Sequence, residues 1–255
     1  MADYGGEVIA GRAVAASPTS DGLEVELDTG DRVPGRRLLV ATGITDELPD
    51  VAGLPARWGR DVLHCPYCHG WEFRDQPIGV LATGPQAAHQ ALLFRQWTSD
   101  LTLLRHTGPA PTDEEAERLS ARGVTLVPGE VASVETGDDD RLRGVRLRSG
   151  ELVELRALAV APRAVPHAAV LTTLGLEPSP HPSGTGDHIA ADASGLTGVP
   201  GVWAAGNLTD PRATVLASAA SGAAAAGAIN ADLTTEDTNR ALRAARGALA
   251  HGTEN

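Results

Sequence analysis

Lysine is absent from this chain of 255 residues. The 21 basic side chains are all arginine, and 33 carboxylates outweigh them to a net charge of −12. Without a basic cluster, a nucleic-acid or anionic-membrane partner is excluded on electrostatic grounds. Long apolar runs are missing too: none reaches the ~20 residues that a membrane helix needs. The opening MADYGGEVIAG lacks a signal-peptide pattern, which points to a cytoplasmic protein. Aromatic residues make up only 3 %, against an aromatic-rich binding module. Only two cysteines occur, Cys65 and Cys68, so a multi-disulfide framework is excluded.

What is present suits close packing of small residues: 42 % hydrophobic residues and 29 glycines. That composition favours an α/β protein. The segments at 7–17, 22–30 and 36–43 read as three strands of a β-meander, joined by turn-forming Ser, Thr, Asp and Gly. The last contains LLVAT, an apolar run suited to a buried parallel strand. Residues 46–58 form a Pro- and Gly-punctuated crossing, a candidate hinge. From Gln76 the pattern becomes strand, helix, strand, helix: PIGVLATG, a helix over 85–97, DLTLLRH, and a helix capped by Thr112. Further strands end at Pro162. A short strand, GVPGVWAAGN, then precedes an Ala-rich helix over 213–233 whose faces are all small. The expected division is a first domain from 1–58 and 164–235, an inserted domain at 59–163, and a flexible, charged and frayed helical tail at 236–255.

Three motifs carry chemistry. In Cys65-Pro66-Tyr67-Cys68-His69-Gly70, the two sulfurs are close enough in sequence to cycle between dithiol and disulfide. A helix starting there would lower a thiol pKa, and His69 could move the proton of each exchange. The same pair could instead be half of a zinc site completed across a dimer, since no second C-x-x-C or H-x-x-x-H exists, or two buried thiols. His69 is equally readable as a structural residue, and His64 is read as structural. The second motif is GVLATGPQAA, following a strand and opening a helix as a dinucleotide fingerprint does. Gly84 and Ala87 meet two of its requirements, Ala82 replaces its first glycine, and Arg105-His106 could meet a 2′-phosphate. The alternative is a βαβ turn without a nucleotide. The third is GVWAAGN, where Gly206 and Asn207 end a strand at the place cofactors occupy in open α/β sheets, or form an ordinary strand–helix turn.

In this order, the motifs resemble the low-molecular-weight thioredoxin reductases, FAD-dependent pyridine nucleotide-disulfide oxidoreductases, and their relatives the dithiol oxidases of small sulfur-containing natural products. The resemblance covers about residues 3–235, and CPYCHGWE is its most specific stretch. It implies a two-domain flavoprotein-reductase architecture in which Thr42, Gly43, Gly206 and Asn207 touch FAD. The region of Gly84 and Ala87 would take NADPH. Cys68 would face the flavin and Cys65 would exchange with a thioredoxin-like protein or small dithiol, with His69 where many members have an acidic proton donor. A homodimer is implied as well. The family's opening βαβ unit with G-x-G-x-x-G has no counterpart here, so the FAD domain is expected to be incomplete and N-terminally truncated. A flavin-free scaffold or partner subunit is the alternative from another class.

Overall fold

The computed structural model describes residues 2–252. In chain order its elements are β1 (Ala13–Thr19), β2 (Gly22–Leu27), β3 (Arg32–Gly35), β4 (Leu38–Val40), β5 (Ile44–Glu47), α1 (Leu54–Arg57), β6 (Val62–Leu63), α2 (Pro66–His69) and β7 (Ile78–Leu81). Next come α3 (Ala87–Phe94), β8 (Leu101–Leu104), α4 (Asp113–Ala121), β9 (Thr125–Val127), β10 (Val131–Thr136), β11 (Leu142–Leu147), β12 (Leu152–Glu154) and β13 (Ala157–Val160). The chain finishes with β14 (Arg163–Pro166), α5 (Ala169–Thr172), β15 (Ser179–Pro180), β16 (Asp187–His188), β17 (Val202–Ala204) and α6 (Val215–Gly252). The chain divides into two compact units, one from 1–45 with 164–255 and the other from 46–163. The fold is α/β.

In 46–163 the strands form a five-stranded sheet in the order β6-β13-β7-β8-β9, all parallel. Strands β7, β8 and β13 are buried along their whole length. This explains why they read as continuous apolar runs rather than alternating ones. One face, with Ile78, Val80, Leu101, Leu103, Ala157 and Ala159, packs against Ala88, Ala91 and Phe94 of α3 and Leu119 of α4. The other face, with Leu81, Leu104, Leu158 and Val160, packs against Val131, Leu142 and Val145 of the antiparallel sheet β10-β11-β12. Helix α4 starts at the N-cap anticipated at Thr112, which the structure completes into a capping box: its hydroxyl accepts from the Glu115 N–H, and Glu115 accepts from the Thr112 N–H.

The first crossing comes at Thr45/Asp46, earlier than the expected break between 58 and 59. The cause is burial: Val51 and Leu54 belong to the core beneath the five-stranded sheet, with Leu48 and Trp58 against it. Arg57, itself buried, grips Asp61 through Nε and Nη2, and donates from Nη1 to Asp140 at 2.7 Å.

In the other unit the meander is β1-β2-β3, so its third strand is Arg32–Gly35 rather than 36–43. Leu38–Val40 leaves the meander and pairs in parallel with β17, as its unbroken apolar run suggests. The Ala-rich helix extends far past Leu233 to Gly252, so the expected helical tail is, over 236–252, a continuation of the same helix. The added turns are anchored where Arg36 meets Asp237 at 2.7 Å and Arg37 meets Asp232 and Glu236 at 2.6 Å each. Residues 253–255 of the expected tail lie outside the described residues. No described helix is long and apolar enough to cross a membrane.

Candidate functional site

Strand β6, fully buried, delivers the chain to the cysteine pair. Cys65 is the N-cap of α2 in an extended conformation, and Pro66 follows at the first helical position, where its missing N–H costs nothing. The Cys65 carbonyl accepts from the N–H groups of Cys68 and His69, both at 3.3 Å. Gly70 closes the turn because nothing larger fits: a Cβ there would lie 2.2 Å from Trp97 Nε1 and 2.3 Å from the Pro66 carbonyl. Trp97 meets Trp71 edge-on at 6.1 Å, and the Arg74 guanidinium stacks 4.0 Å from the Trp71 ring.

Both cysteines are free thiols, Cys65 half-buried and Cys68 exposed. Hydrogen bonding to Cys65, followed by burial, pushes the Cys68 thiol up to about 11, so Cys68 keeps its proton. His69 is exposed beside them. The His64 Nδ1 lies 3.2 Å from the Val160 carbonyl, and Gln90 of α3 holds its backbone carbonyl at 3.2 Å. Among the described residues no group of three or more His, Cys, Asp or Glu is arranged to hold a metal ion.

The second motif forms the turn between β7 and α3. Ala82, Gly84, Ala87, Arg105, Thr112 and Glu115 line a cavity of about 260 Å³ there. A Cβ on Gly84 would meet nothing within 4 Å, so backbone at that position is approachable. Over Ala82, however, the loop after β8 folds back: Gly108 N–H donates to the Ala82 carbonyl at 2.8 Å. Of the basic pair, Arg105 lines this cavity and His106 does not. His106, at φ 42°, accepts the Val131 N–H at Nδ1, and burial lowers its pKa toward the neutral ring.

The remaining predicted residues come together in the other unit. The parallel pair β4–β17 places 42–43 and 206–207 side by side at the strands' carboxyl ends. Gly43 has φ +74°, and a Cβ there would lie 3.3 Å from Asn207 Oδ1. Gly206 has φ +79° and donates its N–H to Ser221 Oγ of α6 at 2.7 Å. Two glycines in left-handed conformation, an amide side chain and the start of a long helix make a cradle that a flavin's ring and polyol chain fit. In the first turn of that helix, Val215 and Leu216 are exposed.

One residue of this cradle escaped the sequence reading. His167 is hydrogen-bonded four times to residues 42–45. Its carbonyl accepts from Thr42 Oγ1 at 2.7 Å and its N–H donates to the Gly43 carbonyl at 3.0 Å. Its ring reaches the Thr42 carbonyl from Nδ1 at 2.9 Å and Thr45 Oγ1 from Nε2 at 2.6 Å. A separation of 125 residues leaves no local signal.

Residues 5–227 match the pyridine nucleotide-disulphide oxidoreductase family. Over 201 residues the chain is 29 % identical to thioredoxin reductase tcpT of Claviceps purpurea (strain 20.1), covering 76 % of this chain and 61 % of that protein. It therefore spans just under two thirds of that relative's length. The crystal structure of HlmI is similar at 46 % identity and a TM-score of 0.88, over 97 % of this chain and 77 % of that one. The oxidoreductase from Agrobacterium tumefaciens follows at 32 % and 0.79, over 89 % and 74 %. With that match over most of its length, the chain belongs to the pyridine nucleotide-disulphide oxidoreductases, a family that uses FAD and NADPH, as a thioredoxin-reductase-like member.

Proposed function

We propose that this chain carries the dithiol/disulfide half of a flavin-dependent reaction through Cys65 and Cys68. The observation that carries this reading is the arrangement of two free thiols on one helical turn, Cys65 at its N-cap and Cys68 within it. The family resemblance supports the division of roles: Cys65 exchanges with substrate and Cys68 faces the flavin.

In the oxidising direction, a substrate thiolate attacks the Cys65 sulfur of the Cys65–Cys68 disulfide. That bond breaks, a substrate–Cys65 disulfide forms, and Cys68 leaves as a thiolate. The second substrate thiolate then attacks the substrate's own sulfur in the mixed disulfide and releases Cys65. Two electrons have passed from substrate to the pair, and His69 is placed to take or give the protons. FAD, when bound, supplies the two-electron chemistry that reoxidises the pair, and in the reductase direction the electrons come from NADPH.

Thr42, Gly43, Gly206 and Asn207 are the residues we assign to FAD, and Gly84 and Ala87 to the nicotinamide nucleotide. The two-domain assignment follows: a flavin unit and an inserted nucleotide and redox unit. Ala82, the Gly108 loop over it and His106 turned away from the cavity support the oxidase direction over NADPH-driven reduction, with a thioredoxin-like protein or a small dithiol as substrate. We place the protein in the cytoplasm, as a homodimer.

Thiol counting across glutathione redox buffers, with visible absorption after adding FAD, tests the reading. One reversible two-electron step, bound-flavin bands, and loss of exchange in Cys65→Ser are expected. Absence of both step and bands would leave a non-catalytic scaffold.

A further inference from the structure

We infer that His167 is a positioning residue for the flavin site: it holds the carboxyl end of β4 in the one conformation that presents that loop's backbone donors. The inference rests on the reading that this unit takes a flavin.

Ile44 and Thr45 begin β5, which pairs with β14, so the stretch outside the sheet is Thr42 and Gly43. Gly43 at φ +74° is a conformation that other residues avoid, and glycine also carries the greatest freedom to leave it. Four hydrogen bonds to a single residue, between 2.6 and 3.0 Å, counter that freedom. Their polarity is specific. A carbonyl only accepts, so the bond to the Thr42 carbonyl requires a proton on Nδ1. In the neutral ring Nε2 is then an acceptor, and the Thr45 hydroxyl donates to it.

At Thr42 and Gly43 the clamp takes up the carbonyl acceptors and leaves the N–H donors. The carbonyls of Thr42 and Gly43 are both taken by His167. Among the described residues, no carbonyl or side chain accepts the N–H of Thr42 or Gly43. Two adjacent unpaired N–H groups beside the Asn207 amide suit a ligand with carbonyl, hydroxyl or phosphate oxygens, which a flavin has. His167 need not touch that ligand. It acts through the loop, and α5, beginning at Ala169, anchors it from behind: Val170 and Leu171 are buried in the unit's core.

The test uses the full chain and FAD as probe. Three variants, His167→Ala, His167→Asn and Thr45→Val, are compared with the parent by fluorescence titration of FAD. Hydrogen exchange of the peptide spanning 40–47 is read in the absence of FAD. His167→Ala is expected to weaken FAD binding about tenfold and to speed exchange in that peptide, with the rest of the chain unchanged. His167→Asn, whose amide can still donate to the Thr42 carbonyl, should recover part of both. Thr45→Val should weaken binding about threefold. FAD affinity within about twofold of the parent in His167→Ala would overturn the inference, as would an Asn variant no better than Ala. If His167→Ala does not fold, unchanged affinity in the other two variants overturns it. A parent chain that takes up no FAD would remove the functional reading itself, whereas a parent that binds and an Ala variant that binds equally would remove only the role of His167.

Discussion

The two units of this chain use the same device, a parallel strand feeding a helix, and complete it to different degrees. In 46–163 five parallel strands are covered on one face by α3 and α4 and on the other by the β10-β11-β12 sheet, so three of the strands are wholly buried. In the other unit the parallel arrangement has two strands, β4 and β17. Its long helix α6 has one fully buried side chain, Ala225, among the residues described. Parallel strands hold together when both faces are dry. Stability should therefore be concentrated in 46–163, while the surface for large ligands lies where layers are thin. Four substitutions probe that contrast.

The largest effect is expected at Phe94, which is fully buried between α3 and the five-stranded sheet. Phe94→Ala should cost about 4 kcal/mol in urea unfolding, through lost burial and the cavity left behind. Trp58, Trp71 and Trp97 report on this unit, and Trp203 is the one tryptophan of the other. The transition reported by the first three should therefore move alone; if Trp203 moves equally, the units are not energetically separate.

Next comes the buried ion pair. Burial would raise the Asp61 carboxyl, but hydrogen bonds from Arg57 and the Leu142 N–H hold it below the usual carboxylate range. Such a group stabilises the fold above its unfolded pKa of about 3.9. That contribution disappears as pH falls through the lower folded value. Asp61→Asn leaves Arg57 buried with only Asp140 as acidic partner and should cost about 3 kcal/mol at neutral pH. The parent should lose urea resistance steeply below pH 4, and the variant less so; parallel pH curves would contradict the assignment.

In the thinner unit the costs should be smaller. Gly43→Ala forces a side chain into left-handed backbone and toward Asn207, an expected loss of about 1 kcal/mol followed by Trp203 fluorescence. Leu216→Ala, at an 82 % exposed position, should change stability by less than about 0.5 kcal/mol. A larger loss at Leu216 would mean that α6 is covered in solution.

Much of this architecture was legible because it is local. The strands β7, β8 and β13 announce themselves as short apolar runs, α4 by Thr112 and an acidic first turn, and the cysteine turn by a C-x-x-C that contains Pro66 and is closed by Gly70. The turn at Gly84 and Ala87 was legible too. The extent of α6 was not, since charged residues past Leu233 read as a loose tail when the pairs they make lie about 200 residues earlier in sequence, at Arg36 and Arg37. For the same reason 46–58 read as a linker although Val51 and Leu54 are core.

By itself, the amino-acid sequence determined the chemistry on offer: one pair of sulfurs on a helical turn, and glycines where backbone must bend or be approached. Spacing along the chain is enough for that, because each feature is complete within about ten residues. The tertiary structure alone decided which loop His167 holds and that His106 is turned away as an acceptor. Those outcomes depend on donors meeting acceptors in space and on how much water is removed around them. Neither quantity is a property of neighbouring letters.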